Sequence, residues 1–401
     1  MKLYFWTILF FLLVAEIYSL LPPRIPPHQD RPSGNGPYYE TGIIHVHSKY
    51  SDGSGTVAEI ATDAADAGMD FLILTDHNNS LARKQGHEHA YGKLDVFVEM
   101  EASTPAGHCL TFYSHTPAKQ LSDQKINSLS WEHFLGKENS PGVFIAIAHP
   151  SNIKNPWNRL DRFPEGMELI NFDSVWQREL SDSLLGFAAT ALLYPFNNYL
   201  SALRFFQIYR KDFTAWDAMN VVSRGHFGIL AQDAHAKLKL DKNRFLRWPG
   251  YSQTFRLGSN VVFYDPPLAS DFEARKKQIY HSIEQGRIAL TFQAIHPFQG
   301  NDWRMQCGDK AFRSGEETPS TKQNCQFIVD TPPDLGFPVT LQLWKDGALY
   351  RTINHAPSNL RIPLGGSGLY RVEIWVHAHT LFHLLLDSDI PYIFYNPIYV
   401  R

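Results

Sequence analysis

The chain has 401 residues, 44% of them hydrophobic and 19% charged, with 37 Lys and Arg against 40 Asp and Glu for a formal net charge of −3. This is ordinary globular composition, long enough for more than one core. It has no long basic run and no aromatic-basic stripe, so a stable nucleic-acid complex is not expected.

At the start, Lys2 precedes an apolar run from Leu3 to Ala15, followed by Glu16 and Ser19. That is the layout of a secretory signal peptide over residues 1–21. Without Glu16 the run approaches the roughly 20 residues of a spanning helix, so an N-terminal anchor is the rival reading. Membrane contact would run through this segment. In both cases export is expected: periplasmic, extracellular, or anchored facing outside the cytoplasm. Residues 22–40, rich in Pro and Gly, read as a linker.

From Thr41 the chain alternates short apolar runs with helix-like segments. Gly42–Val46 is strand-like, and Thr56–Ala67 is helix-like with Gly68 as its stop. Phe71–Thr75 is fully apolar, as in a parallel sheet covered on both faces. Similar runs follow at Val96–Met100, Cys109–Tyr113, Val143–Ala148, Met167–Phe172, Phe227–Ala231 and Val261–Tyr264. Strand–helix units with polar residues at strand ends predict an α/β barrel over residues 41–290 rather than an open sheet. Within it, the apolar block Leu184–Phe206, broken by Pro195, reads as buried helix, with a lid or a membrane-contacting hairpin as the alternatives. Asp271–Gln285 is a charged helix stopped by Gly286. Beyond it, residues 291–401 hold short strand candidates rich in β-branched and aromatic residues, with turns such as Lys345-Asp346-Gly347. They predict a small all-β, sandwich-like domain. Cys307 and Cys325 are positioned for a disulfide in an exported chain, and Cys109 reads as an inert core thiol.

Six short pieces place His, Asp or Glu where strand-like runs end: His45-Val-His47, Asp52, Asp76-His77, Glu101 with Gly107-His108, His149-Pro150 and Asp233-Ala-His235. Side chains alternate along a strand, so His45 and His47 point one way, as do Asp233 and His235. Convergence of these groups in one cleft would hold two or three divalent metal ions, with Zn, Mn and Fe suiting imidazole and carboxylate. Neighbouring cations repel, and Glu101 is the preferred bridging carboxylate. Glu99, two residues earlier, would support the site or be the bridge itself, and Asp76 would orient a neighbouring imidazole. Such a centre activates a metal-bridging hydroxide and polarises a phosphoryl or carbonyl oxygen. No Gly-x-Ser-x-Gly elbow or triphosphatase phosphate loop is present. Lys154, Arg159 and Arg178 read as surface charge. His377 and His379 share a strand face with no third ligand nearby.

The run Thr41-Gly-Ile-Ile-His-Val-His-Ser-Lys-Tyr-Ser-Asp-Gly, then Ala67-Gly-Met-Asp-Phe-Leu-Ile-Leu-Thr-Asp-His-Asn78, resembles the opening of the polymerase and histidinol phosphatase (PHP) superfamily. Glu101 with Gly107-His108, Ala148-His149-Pro150 and Gln232-Asp233-Ala-His235 match its later motifs in order. The resemblance implies a distorted (β/α)7 barrel with up to three metals at strand C-terminal ends. It further implies one metal on His45, His47, Glu101 and Asp233, a second on Glu101, His108 and His149, and a third on Asp52, His77 and His235. The family's usual activity is phosphomonoester or phosphodiester hydrolysis, so the expected partner is a small phosphorylated substrate. Two rivals use the same residues: an amidohydrolase-type enzyme cleaving a C–N bond, and a non-catalytic, metal-containing envelope binding protein.

Overall fold

The computed structural model describes residues 2–19, 37–114, 142–158, 164–182, 202, 208–241, 244–318, 325–332, 335–377 and 389–401. Linker residues 22–36, the Leu184–Phe206 block apart from Ala202, Arg159 and His379 lie outside them. The chain begins with α1 (Lys2–Ser19); no described helix is long and apolar enough to cross a membrane. It continues through β1 (Tyr38–Ile44), α2 (Val57–Asp66), β2 (Phe71–Leu74), α3 (Leu81–Lys84), β3 (His89–Tyr91), β4 (Leu94–Val98), β5 (Met100–Thr104), β6 (Gly107–Tyr113), β7 (Val143–Ile147), β8 (Gly166–Asn171) and α4 (Phe172–Asp182). Next come α5 (Arg210–Val222), β9 (Phe227–Ala231), β10 (Leu238–Lys239), β11 (Phe245–Leu246), α6 (Tyr251–Phe255), β12 (Ser259–Tyr264), α7 (Phe272–Glu284) and β13 (Ile288–Thr291).

Local chemistry explains the elements that carry the site. Thr56 caps α2 in a reciprocal box with Glu59, and Val57, Ile60, Ala61 and Ala64 form its buried face at helical spacing. All of β2 is buried, as its unbroken apolar run requires. Gly42 in β1 lets the strand approach Phe71, whose ring would lie 2.2 Å from any Cβ added there.

β1, β2 and β4 pair in parallel, and β12 runs antiparallel on the other edge of β1. A second sheet has the order β5-β6-β7-β8-β9, antiparallel through β7 and parallel thereafter. The described residues form no closed (β/α)7 barrel. From Tyr38 to Gly42, β12 occupies the edge of β1 that closure on β9 would use, so only Ile44–His47 reach the residues after β9, and β5 to β7 are joined without parallel crossovers. The two sheets meet at the strand C-terminal ends through the isolated bridges Val46↔Ala234 and His77↔Glu101. Those bridges sit where the candidate ligands cluster.

The remaining strands are β14 (Asp302–Cys307), β15 (Lys310–Arg313), β16 (Glu317–Thr318), β17 (Cys325–Asp330), β18 (Val339–Lys345), β19 (Ala348–Ile353), β20 (Asn359–Pro363), β21 (Gly368–His377), β22 (Asp389–Tyr395) and β23 (Ile398–Val400). β15-β14-β17-β20 form a four-stranded antiparallel sheet, with Cys307 directly opposite Cys325 and bonded to it as a disulfide. Phe327 of that sheet packs against Tyr370 of β21 at 4.7 Å between ring centroids. β22 pairs with β13, so the sheet carrying β1 and β2 continues into the C-terminal strands. Cys109 is a free, buried thiol.

Candidate metal centre

The backbone prepares the site before any side chain is considered. His45, Asn78, His149 and Asp233 all take left-handed conformations, with φ of 70°, 53°, 30° and 48°. Such residues cost about 1–3 kcal/mol each, and the surrounding ladders must hold them in place. Here the ladders do so. Gln232 N donates to Ile44 O at 3.0 Å, His47 N to Ala234 O at 3.0 Å, and Asn78 N to Glu101 O at 2.9 Å. Gly53 completes the loop after His47, since a Cβ there would lie 2.1 Å from the His47 carbonyl oxygen.

Glu101 is buried at the centre of the cluster. Its Oε2 lies 3.2 Å from both His45 Nε2 and His47 Nε2, and 3.0 Å from His77 Nδ1. Its Oε1 lies 2.8 Å from His108 Nδ1 and 2.9 Å from His149 Nε2. Asp233 Oδ1 is 3.4 Å from His45 Nε2 and 3.3 Å from His47 Nε2, and those two nitrogens are 3.1 Å apart. Asp52 Oδ1 faces His235 Nε2 at 3.2 Å, His77 Nε2 at 3.8 Å and His47 Nδ1 at 3.9 Å. All nine residues expected as ligands therefore stand around one pocket.

The donor set fits divalent cations. Ligands at about 2.0–2.1 Å from a tetrahedral zinc ion sit about 3.3 Å from one another, close to the spacing of the His45, His47, Glu101 and Asp233 donor atoms. Asp52 Oδ1, His77 Nδ1 and Glu101 Oε2 are buried without a hydrogen bond, which is costly unless another ligand satisfies them. Three groupings put donor atoms within 4.8 Å of one another: His45 with His47 and Asp233; His47 with Asp52, His77 and His235; and His77 with Glu101 and His108. His77 thus stands between the expected second and third sets, near Glu101 as well as Asp52.

Charge in the pocket is arranged to hold positive centres. Burial alone would discharge His45, yet Asp233, Glu168 and Glu101 outweigh it and hold its pKa well above the ordinary value. His47 is pushed up to about 10 against burial by the neighbouring carboxylates of Asp233 and Glu101, and His149 to about 9 mainly by Glu101. Glu101 and Asp233 are held well below the carboxylate range, with His45 the leading charge overcoming burial in both. His77 goes the other way, to about 4, because burial outweighs its attraction to Glu101.

Two supporting assignments need correction. Glu99 faces away from the pocket: it lies 2.9 Å from Lys276 Nζ and 3.2 Å from Arg83 Nη2, and accepts from Tyr280 Oη at 2.9 Å. It sits at the break between β4 and β5, so strand alternation does not carry from Glu99 to Glu101. Asp76 reaches an imidazole only through Ser51, whose Oγ lies 3.5 Å from His47 Nδ1; it accepts from Ser48 N and Oγ at 2.8 and 2.6 Å and from Ser51 Oγ at 2.5 Å, pinning the loop that carries Asp52. The imidazole-orienting carboxylate is Glu168, which sequence reasoning missed. It accepts from His45 Nδ1 at 2.6 Å, His149 N at 2.6 Å and Asn171 Nδ2 at 2.8 Å. A lone carboxylate inside the apolar run Met167–Ile170 was the available signal. Of the cations considered, Arg178 stacks over Tyr209 at 3.7 Å and donates to Ser151 O at 3.0 Å, while Lys154 is exposed.

Residues 44–120 match the family model of the PHP domain. No curated protein matches the chain. Among solved structures, it is similar to a two-domain protein from Bacteroides vulgatus containing a predicted PHP-like metal-dependent phosphoesterase. That likeness has 14% identity, a TM-score of 0.37, and covers 91% of this chain and 99% of the other.

Proposed function

We propose that this protein is a metal-dependent phosphoesterase that hydrolyses a small phosphate mono- or diester. His45, His47, Asp52, His77, Glu101, His108, His149, Asp233 and His235 would hold two or three divalent cations, with Zn, Mn or Fe suiting the donors. The observation that carries this reading is Glu101, whose two oxygens are shared among five imidazoles in a buried pocket. When bound, divalent cations supply polarisation of a phosphoryl oxygen and acidification of a coordinated water.

The chain's own residues set the stage for that chemistry. Glu168 holds the proton of His45 on Nδ1, which leaves Nε2 to face Glu101 and Asp233. Asn171 ties Glu168 to Asp233 at 2.8 and 3.2 Å. Asp76, through Ser48 and Ser51, fixes the half-exposed Asp52 at the mouth. As part of the same proposal the protein is exported, with residues 1–21 as signal peptide or anchor. The Cys307–Cys325 disulfide supports this compartment.

Elemental analysis of protein purified without chelator, coupled to a phosphate-release screen, tests the reading. Two or three equivalents of metal and chelator-sensitive phosphate release are expected. Stoichiometric metal with amide hydrolysis instead, or with no hydrolysis at all, would overturn it.

A further inference from the structure

Three residues after His235 the chain enters a short hairpin, in which Leu238 pairs with Leu246 and Lys239 with Phe245. Its turn is tied: Leu240 N donates to Arg244 O at 2.9 Å, and Arg244 N to Asp241 Oδ1 at 2.8 Å. The hairpin nevertheless leaves Leu240, Phe245 and Leu246 exposed, at 63%, 44% and 52%. Single exposed apolar side chains are ordinary, whereas three gathered on one small hairpin mark a contact surface.

The charge of the same segment runs against that of the chain. Positions 237–247 hold Lys237, Lys239, Lys242, Arg244 and Arg247 against Asp241 alone, a net +4 in a chain of net −3, so all other residues together total −7. An apolar or polar residue separates each cation from the next, which is why they form no basic run. The Arg244 and Arg247 side chains are 80% and 50% exposed, and Lys237 Nζ lies 5.1 Å from the Phe245 ring centroid. Apolar side chains able to enter the acyl boundary, with cations at the level of the headgroups, suit the surface of an anionic bilayer. A protein partner fits less well, because a stable interface takes about 800 Å² and roughly 20–30 residues from each side.

We propose that the β10–β11 hairpin is a membrane-docking element, with the headgroup layer of an anionic phospholipid bilayer as its partner. Leu240, Phe245 and Leu246 enter that layer, while Arg244 and Arg247 meet its phosphates. Five residues lead from His235 to Leu240, at most about 18 Å of chain, so docking brings the mouth of the cluster to the membrane surface. The proposal does not depend on which reaction the cluster performs.

α1 also exposes Phe5, Trp6, Phe10 and Phe11, so vesicle binding by the full chain would not by itself report on the hairpin. A probe on the tip does. Cys109 is buried and Cys307 is bonded to Cys325, so Leu240→Cys in the full chain takes an environment-sensitive fluorophore at that position alone. With vesicles of equal parts phosphatidylcholine and phosphatidylglycerol, its emission should shift to the blue and be quenched by brominated acyl chains. Phosphatidylcholine alone should require at least about tenfold more lipid for the same response. In this background Arg244→Gln/Arg247→Gln should raise the lipid needed by about thirtyfold, the equivalent of roughly 1 kcal/mol for each cation lost. Phe245→Ser/Leu246→Ser should remove the quenching. Metal content should stay unchanged in every variant, since none alters a candidate ligand, and this identifies the folded protein. Absence of quenching, an equal response to phosphatidylcholine alone, or a response untouched by both pairs of substitutions would overturn the proposal. So would an emission already blue without vesicles, which would mean that another part of the chain covers the tip. A blue shift produced equally by DNA or polyglutamate would point to a soluble polyanion instead and overturn it likewise.

Discussion

Around Glu101 five imidazoles crowd one carboxylate, and three buried donor atoms there have no hydrogen bond. Around Arg371, between α5 and β21, equally buried charges are matched one to one. The Arg371 guanidinium grips Asp217 with two bonds of 2.8 Å and reaches Glu373, which also accepts from Arg210 at 2.6 Å and from Trp375 Nε1 at 3.3 Å. The Trp344 ring covers the guanidinium at 4.7 Å. Burying charge is expensive in both places. The Arg371 network closes on itself and fastens the C-terminal strands to α5, whereas the Glu101 cluster leaves donor capacity open for something absent from the chain itself. Partnering of the charged groups themselves, rather than burial or the number of charges, separates these two clusters.

The largest expected effect breaks the first cluster. In His45→Ala/His47→Ala, bound metal should be lost and phosphate release should fall by at least about 10³-fold, the equivalent of roughly 4 kcal/mol of transition-state stabilisation. The circular dichroism spectrum should remain that of a folded protein. Turnover unchanged in this variant would show that Glu101 and its imidazoles are a structural network after all. Arg371→Met tests the other side. It leaves Asp217 and Glu373 buried without their main partner, and urea unfolding should show a loss of about 3–5 kcal/mol. Metal content per folded molecule should not change, because no candidate ligand touches Arg371. A stability loss below about 1 kcal/mol would remove the contrast.

The two clusters also differ in how far the sequence reveals them. The ligands were legible because a period of two and a strand end suffice to aim His45 with His47 and Asp233 with His235. Local pattern fails where the ladder breaks, which is why Glu99 seemed to share a face with Glu101 while it pairs with Lys276 and Arg83. It also fails for Glu168, because a carboxylate in an apolar run declares itself buried without naming its partner. The Arg371 network was invisible for a stronger reason: Asp217 and Arg371 are 154 residues apart, and only the finished topology brings them together. The same holds for the sheets. Nothing in the short runs shows that β12 takes the free edge of β1 or that β13 pairs with β22, and these pairings replace the closed barrel with two joined sheets.

Glu168 offers a finer probe, since it is buried and hydrogen-bonded like the structural network yet serves the site. Glu168→Gln keeps the shape but removes the charge that holds the His45 proton on Nδ1. Metal affinity should drop by about 10–100-fold, the usual cost of losing such an orienting group. A competition titration against a chromogenic chelator would measure it. Wild-type affinity would place Glu168 with Arg371 as scaffold.

The smallest effect is graded with pH and distinguishes the clusters without mutation. In the cation-free protein His47 sits at about 10 and His149 at about 9, so both imidazoles are protonated at pH 7. Metal binding must then expel protons, and affinity should rise by about tenfold per pH unit for each proton released up to pH 9. Calorimetry in buffers of different ionisation enthalpy would count those protons, and a count of zero would contradict the assignment. Stability carries the same sign. These raised values stabilise the cation-free fold fully below the ordinary imidazole value of about 6.5, and the benefit disappears as pH climbs through 9 to 10. Glu101, held low, stabilises above its ordinary value and loses that contribution in acid. Chelator-treated protein should therefore show a falling Tm between pH 8 and about 10, while metal-loaded protein, whose imidazoles are already deprotonated, should not. The guanidinium of Arg371 does not titrate in this range, so parallel losses in both forms would place the pH sensitivity outside the Glu101 cluster.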